Sequence, residues 1–157
     1  MNQFDLKNRT AIITGGAQGF GYDIAKKFLK SGAKVIIWDI DEVELKKVYK
    51  KINDSNLTYK IVDVSDFKQV EETVKQITKT SKIDILINNA GITGSTSNLW
   101  DYNISEWKKV LNINLLGTFY CCKYIVPYMI SNNYGRIVNV ASVAGKDGNA
   151  NASAYSS

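Results

Sequence analysis

The stretch "TGGAQGFG", residues 14–21, decides the fold of this 157-residue chain because it joins an apolar run to a glycine-rich turn. Its glycines Gly15, Gly19 and Gly21 follow a Gly-x3-Gly-x-Gly spacing. Without a Cβ atom the backbone can turn tightly and approach a pyrophosphate, whose charge is stabilised by the N-terminus of a following helix. The spacing differs from GxGxxG and the turn lacks the lysine of a P-loop, so an ordinary tight turn is the alternative interpretation.

Five apolar runs alternate with helical patterns along the chain. The runs cover residues 10–16, 34–40, 57–64, 82–91 and 135–142. Most of them are continuous rather than alternating, which is typical of strands buried on both faces of a parallel sheet. The sequence therefore predicts an α/β fold with a doubly wound, mostly parallel sheet and helices on both faces. Ligands of such sheets bind beyond the carboxyl ends of the strands, where the glycine-rich turn lies.

The helices carry boundary signals of their own. Gly32 is placed to end the first helix, and Asp41 and Asp66 are placed to cap the next two. A longer helical pattern covers residues 105–130. No internal repeat or low-complexity linker interrupts the alternation, so we expect one domain over residues 1–157.

Composition excludes several kinds of chemistry. The chain has no histidine, which removes Ser-His-Asp and Cys-His catalysis and most zinc sites, and we predict no metal site. The net charge of +5 is spread over helical faces without a basic block, so we expect no nucleic-acid partner. No apolar stretch is long enough to span a bilayer or to serve as a signal core, so we expect a cytoplasmic protein without a membrane partner. Cys121 and Cys122 are adjacent in an apolar helical run and are expected to pack as small hydrophobes.

Asp39 closes the second apolar run and is the candidate for cofactor discrimination. A carboxylate at this position can accept hydrogen bonds from the hydroxyls of an adenosine ribose, and it would repel a 2′-phosphate. Capping of the following helix is the alternative role, but Asp41 already has that position. Gln18 and Trp38 supply no positive charge for a phosphate either. These residues favour NAD over NADP.

The motifs, in this order, resemble those of the short-chain dehydrogenase/reductase family. They are "TGGAQGFG", "NNAG" at residues 88–91, an asparagine in "LNINLLGTF", and a serine thirteen residues before a tyrosine. The resemblance covers the whole chain in register. It implies a Rossmann fold and an enzyme that moves hydride between a nicotinamide dinucleotide and an alcohol or carbonyl carbon.

The resemblance also implies a set of cofactor-binding residues around the glycine-rich turn and the ends of the later strands. Within this set Asp63 and Val64 would flank the adenine, although Asp63 taken alone is a turn acid. The "NNAG" motif taken alone is an ordinary strand-ending turn, and Asn88 in it would help to hold the sheet. The implied cofactor-binding residues are Gly15, Gln18, Gly19, Phe20, Gly21, Asp39, Asp63, Val64, Asn89, Ala90 and Gly91.

Three residues match the catalytic positions of the family. Asn114 would help to hold a water in a proton relay, Ser142 would position the substrate oxygen, and Tyr155 would act as the acid/base. A free phenol ionises only near pH ~10, so it needs a nearby ammonium to serve as a base at neutral pH. In the family this ammonium belongs to a lysine four residues after the tyrosine, a position beyond Ser157. We therefore expect a single NAD(P)-binding Rossmann domain that is incomplete at its C-terminus.

Two other functions stay open at this point. A chain whose natural length is 157 residues would be a non-catalytic dinucleotide-binding or interaction module. An epimerase or dehydratase of the related extended type fits less well, because such proteins usually show a Gly-x2-Gly-x2-Gly spacing. The resemblance implies an alcohol or carbonyl substrate, and polyol, sugar, hydroxysteroid and 3-oxoacyl types all stay open. Asp39 favours NAD-linked alcohol, polyol or sugar oxidation. The resemblance implies a homodimer or homotetramer.

Overall fold

All five apolar runs form strands in the structure, a computed structural model that describes residues 5–157. The strands are β1 Thr10–Thr14, β2 Lys34–Asp39, β3 Leu57–Ile61, β4 Ile85–Asn88 and β5 Arg136–Asn139. They form a parallel sheet in the order β3-β2-β1-β4-β5, so the strand order reverses between β1 and β4. The predicted doubly wound α/β fold is confirmed.

The helices begin and end close to the signals in the sequence. They are α1 Gly19–Lys30, α2 Glu42–Ile52, α3 Phe67–Thr78, α4 Ile104–Leu111, α5 Thr118–Ser131, α6 Ala144–Asp147 and α7 Ser153–Ser156. Asp41 caps α2 by accepting from the Glu44 amide at 2.9 Å. Asp66 caps α3, and the hydrogen bonds from Gln69 lower the pKa of its carboxyl group. No helix in the described part of the chain is long and apolar enough to cross a membrane.

The sheet separates two layers of apolar packing. Ile13 and Ile37 pack with Ala25 of α1 on one face, and Ile12 and Leu86 pack on the other face, toward α3 and α5. Because successive side chains of a strand point to opposite faces, a strand covered on both sides must be apolar throughout. This explains the continuous apolar runs of β1, β2 and β4.

Both cysteines pack in α5 as expected. Cys121 is buried in the second layer and Cys122 is half-buried beside it, and neither forms a disulfide. Burial raises the pKa of the Cys121 thiol to about 12. The thiol therefore behaves as a small apolar group at neutral pH.

The fifth run forms an exposed strand at one edge of the sheet, as expected for a domain that is incomplete at its C-terminus. Within the described residues β5 pairs only with β4, and Ile137 and Val138 are 40% and 50% exposed. An apolar run indicates which side chains a strand carries, but it does not indicate how many neighbours cover that strand.

The long helical pattern of residues 105–130 is not one continuous α-helix. The helix α4 ends at Leu111, a π-helical segment covers Asn112–Gly117, and α5 begins at Thr118. Such wide turns are rare and are frequent at functional sites. Asn114 lies within the segment.

Candidate active site

The glycine-rich turn joins β1 to α1 and packs tightly against the "NNAG" motif. Gly15 and Gly19 have positive φ angles of +63° and +53°. A Cβ atom on Gly15 would lie 2.9 Å from Ala90 Cα, and one on Gly21 would lie 2.7 Å from Asn89 Nδ2. Gly15 therefore needs both the conformational freedom and the space that glycine provides, and Gly21 needs the space.

The N-terminus of α1 has no side-chain cap. Gln18 occupies the N-cap position, but its side chain accepts no hydrogen bond from the helix, and the first turn holds no acidic residue. The first amides of the helix and the positive end of its dipole are thus available to an anion. This arrangement suits the predicted phosphate-binding turn.

The side chains of the "NNAG" motif hold the turn and the sheet together. Asn89 Nδ2 donates to the carbonyls of Thr14 and Gly15 at 3.0 and 3.1 Å, and its amide donates to Thr14 Oγ1 at 3.0 Å. Asn88 Nδ2 donates to Asn139 Oδ1 at 2.8 Å, across β4 and β5. The expected role of Asn88 in holding the sheet agrees with this contact.

Asp39 lies at the end of β2 and contacts the glycine-rich turn directly. Its Oδ2 accepts from the Ala17 amide at 3.1 Å, and its Oδ1 accepts from the Asp41 amide at 3.1 Å. Asp41 is the residue that caps α2, so capping does not account for the carboxylate of Asp39.

A cavity of about 550 Å³ runs along the carboxyl ends of the first four strands. Its wall includes every predicted cofactor-binding residue except Gly21, which packs behind Gly15. The residues of the predicted set that line it are Gly15, Gln18, Gly19, Phe20, Asp39, Asp63, Val64, Asn89, Ala90 and Gly91. Asp63 also acts as a turn acid, since its Oδ1 accepts from the Ser65 amide at 2.9 Å.

Sequence reasoning missed several residues in the wall of this cavity. They are Ile40, Val62, Ser65, Ile92, Lys109 and Ile113. Lys109 is the only basic residue of this wall in the described part of the chain. The sequence signal that could have found Lys109 is its position one helical turn before Ile113, which directly precedes the predicted site residue Asn114.

A second cavity, of about 530 Å³, brings the three predicted catalytic residues together. Asn114, Ser142 and Tyr155 all line it, and it shares Phe20 and residues 89–92 with the first cavity. The Ser142 side chain lies beyond the end of β5, where its Oγ accepts from the Ala144 amide at 3.2 Å. The two cavities are therefore neighbouring parts of one cleft.

Asn114 is tied to the backbone that follows β4. Its Nδ2 donates to the Ile92 carbonyl and its Oδ1 accepts from the Ile92 amide, both at 2.9 Å. Its own carbonyl accepts from Thr118 Oγ1 at 3.0 Å. The side chain of Asn114 therefore fixes the wall between the two cavities.

The helix that carries Tyr155 rests on α4. Ala154 is 2% exposed and packs with Tyr102 and Val110. The preceding segment is fixed by the Ser97 amide, which donates to the Asn151 carbonyl at 2.8 Å. These contacts place α7 at the cleft even though the helix has only four residues.

A parallel sheet whose order reverses beside a glycine-rich turn, with an acid at the end of β2, defines the dinucleotide-binding Rossmann class. The sequence model described as "short chain dehydrogenase" matches residues 9–157. The chain belongs to the short-chain dehydrogenase/reductase family, whose members use nicotinamide cofactors.

Similar proteins include dehydrogenases and reductases of several substrates. The chain is 44% identical over 149 residues to a 2-dehydro-3-deoxy-L-rhamnonate dehydrogenase (NAD(+)) of Sphingomonas sp. (strain SKA58), covering 94% of this chain and 59% of that protein. It is 36% identical over 153 residues to a 3-oxoacyl-[acyl-carrier-protein] reductase of Chlamydia pneumoniae, covering 96% and 61%. The crystal structure of an NAD+-bound xylitol dehydrogenase matches with a TM-score of 0.90 at 31% identity, covering 96% of this chain and 59% of that one. The chain thus spans about three fifths of the length of these relatives.

Proposed function

We propose that the protein is an NAD-dependent oxidoreductase that transfers hydride between a nicotinamide cofactor and a secondary alcohol or ketone. The observation that carries the proposal is the shared wall of the two cavities, formed by Phe20 and residues 89–92. A dinucleotide that lies along the first cavity would bring its nicotinamide end beside Ser142 and Tyr155. The cofactor would then meet the substrate where the predicted catalytic residues converge.

The residues around the first cavity fit a dinucleotide. Gly15 and Gly21 let the turn pack closely against Asn89 and Ala90, and Gly19 lines the cavity with open space where a Cβ atom would be. The uncapped N-terminus of α1 favours the charge of the two phosphates. Asp39 is placed for the adenosine ribose, and its charge opposes a 2′-phosphate, so NAD is the proposed cofactor over NADP. When bound, the nicotinamide ring supplies the hydride chemistry.

The residues of the second cavity would transfer the proton and position the substrate oxygen. In alcohol oxidation the Tyr155 phenolate, stabilised by the ammonium that the family resemblance implies, would take the hydroxyl proton while the carbon-bound hydrogen passes as hydride to the nicotinamide ring. In ketone reduction Tyr155 returns that proton. The Ser142 hydroxyl holds the substrate oxygen within reach of the phenol, which is a positioning effect. Asn114 holds the backbone at Ile92 through its side-chain amide. In the proposed reaction it would also help to hold a water in a proton relay.

We propose a polyol or a sugar-derived alcohol or ketone as the substrate class. Two of the similar proteins are named for a deoxy sugar acid and for xylitol, and both names or titles specify NAD. Asp39 supports the same choice because it favours the cofactor that serves alcohol oxidation. A 3-oxoacyl thioester is the competing substrate, as in the reductase of Chlamydia pneumoniae.

We also propose that the protein forms a homodimer or homotetramer. The family resemblance implies that the helical stretch of residues 105–130 packs between subunits. In support of this, Leu115 and Phe119 are 61% and 53% exposed on that stretch. Light scattering of the full-length protein tests the proposal, because a monomer at micromolar concentration would contradict it.

The experiment that tests the reaction is Tyr155→Phe in the full-length protein. We expect turnover to fall by about a thousandfold, because general acid–base catalysis typically contributes a factor of about 10²–10⁴. NADH should still bind with a Kd within about twofold of the wild type, since the phenol oxygen is the only atom removed. Tyr49→Phe is the matched control, because Tyr49 lies on α2 and packs against Tyr59 away from the cleft. Retained turnover in Tyr155→Phe would contradict the role of Tyr155.

A further inference from the structure

We infer that Asp39 has a second role: its carboxylate holds the glycine-rich turn in the shape that receives the phosphates, which couples ribose binding to phosphate binding. The inference rests on the proposed function, because it concerns the same dinucleotide site. It goes beyond cofactor choice, because it makes Asp39 a positioning residue for atoms that it does not touch.

Two successive amides of the turn are fixed by the end of β2. The Gly16 amide donates to the Trp38 carbonyl at 3.0 Å, and the Ala17 amide donates to Asp39 Oδ2 at 3.1 Å. Ala17 is only 4% exposed, so water has little access to its amide if the carboxylate is lost. A Cβ atom on Gly16 would lie 2.6 Å from Ile37 Cβ, which shows how closely the turn lies against β2.

The carboxylate can serve the turn and the ribose together. Each oxygen of Asp39 accepts one main-chain hydrogen bond, Oδ2 from Ala17 and Oδ1 from Asp41. An ionised carboxylate offers about four acceptor sites, so acceptor capacity remains for the two ribose hydroxyls. Hydrogen bonds to a charged acceptor are about twice as strong as neutral ones, which favours a fixed turn.

An amide side chain cannot replace this carboxylate. Asn at position 39 would have one acceptor oxygen, so its NH2 group would face either the Ala17 or the Asp41 amide, donor against donor. A buried donor without an acceptor carries a desolvation penalty, and the turn would shift to relieve it. Asp39→Asn therefore weakens contacts with the phosphates as well as with the adenosine ribose, and it does not simply convert the site to NADP.

The test uses two fragments of the cofactor and two variants of the full-length protein. Adenosine probes the ribose contact, and nicotinamide mononucleotide carries a phosphate without the adenosine half. We expect Asp39→Asn to weaken both fragments, raising the Kd of nicotinamide mononucleotide about three- to tenfold. Asp41→Asn is the matched control, because it removes the same charge two residues away and Asn caps a helix as well as Asp does. Weakened adenosine binding with unchanged binding of the mononucleotide would overturn the inference.

NMR of the Ala17 amide without ligand tests independently whether Asp39 holds the glycine-rich turn. Because the Ala17 amide donates to Asp39 Oδ2, its resonance should shift in Asp39→Asn and should stay in place in Asp41→Asn. Amide exchange at Ala17 should become about tenfold faster in Asp39→Asn. Equal exchange of the Ala17 amide in the wild type and in Asp39→Asn would overturn the inference. Failure of wild-type protein to bind NADH would instead contradict the proposed function, and the Ala17 result would still decide the role of Asp39.

Discussion

The two halves of the cleft differ in how they are built. The glycine-rich turn follows β1, whose residues are all buried, and it is tied to β2 and to Asn89 by hydrogen bonds. Ser142 and Tyr155 follow the exposed strand β5. Ser142 lies just before α6 and Tyr155 lies within α7, and each of these helices has four residues. In the first half the residues of the glycine-rich turn both pack against the core and form the site, so a substitution in that turn should change stability and binding together. In the second half the site residues contribute little to the core, so a substitution should affect function alone.

The largest expected effect compares Gly21→Ala with Gly145→Ala. A Cβ atom at position 21 would collide with Asn89 Nδ2 at 2.7 Å and with the Gly15 backbone. We therefore expect the free energy of unfolding to fall by about 2–4 kcal/mol and the affinity for NADH to fall with it. A Cβ atom at Gly145 meets nothing within 4 Å, so that variant should unfold like the wild type. Urea unfolding and NADH titration measure both effects, and equal unfolding of the two variants would remove the contrast between the halves.

The next effect is on catalysis and comes from Ser142→Ala. Loss of the positioning hydroxyl should lower kcat by about a hundredfold. Ser142 is exposed and its Oγ only accepts from the nearby Ala144 amide, so unfolding free energy should change by less than about 0.5 kcal/mol. Steady-state kinetics and urea unfolding of the same preparation provide the test. A large stability loss would show that this side of the cleft is part of the core after all.

A smaller effect on stability is expected at the wall between the two cavities. Asn114→Ala leaves the Ile92 amide and carbonyl without their 2.9 Å partners, which should reduce unfolding free energy by about 2 kcal/mol. Asn112→Ala, in the same π-helical segment but exposed, is the matched control and should be nearly neutral. If both variants unfold alike, the pairing with Ile92 does not hold the wall.

Much of this architecture could be predicted from the sequence, because its signals are local. Three signals depend only on residues close in the chain. They are the apolar runs that form β1, β2 and β4, the helix caps Asp41 and Asp66, and the glycine spacing. The grouping of Ser142 with Tyr155 came from the family resemblance, and the structure places both in one cavity.

The rest depends on contacts between distant residues. The π-helical segment accompanies a pairing of Asn114 with Ile92, 22 residues earlier, which no helical periodicity reveals. The exposure of β5 depends on how many strands lie beside it, and an apolar run does not report that number. Lys109 lines the first cavity together with residues that are distant in the chain, so no local pattern reveals its place there.

The smallest expected effect compares Lys109→Gln with Lys108→Gln. Lys109 lines the cavity that we assign to the cofactor and Lys108 does not, although both are exposed on α4. Removing the Lys109 charge should raise the Kd of NADH about threefold at low salt, and the difference should shrink as salt screens the phosphates. Fluorescence titration of NADH at two ionic strengths measures it. Equal affinities of the two variants at low salt would show that Lys109 does not act on the cofactor.

The central claim is that the first cavity binds a nicotinamide dinucleotide whose adenosine ribose meets Asp39. Its most direct test is the Kd of NADH and of NADPH for the full-length protein, measured by fluorescence titration in one buffer. The account predicts NADH binding at least about tenfold tighter than NADPH, because the Asp39 carboxylate opposes the 2′-phosphate. Equal affinities or tighter binding of NADPH would contradict the assignment of Asp39, and absence of binding by either would contradict the proposed function.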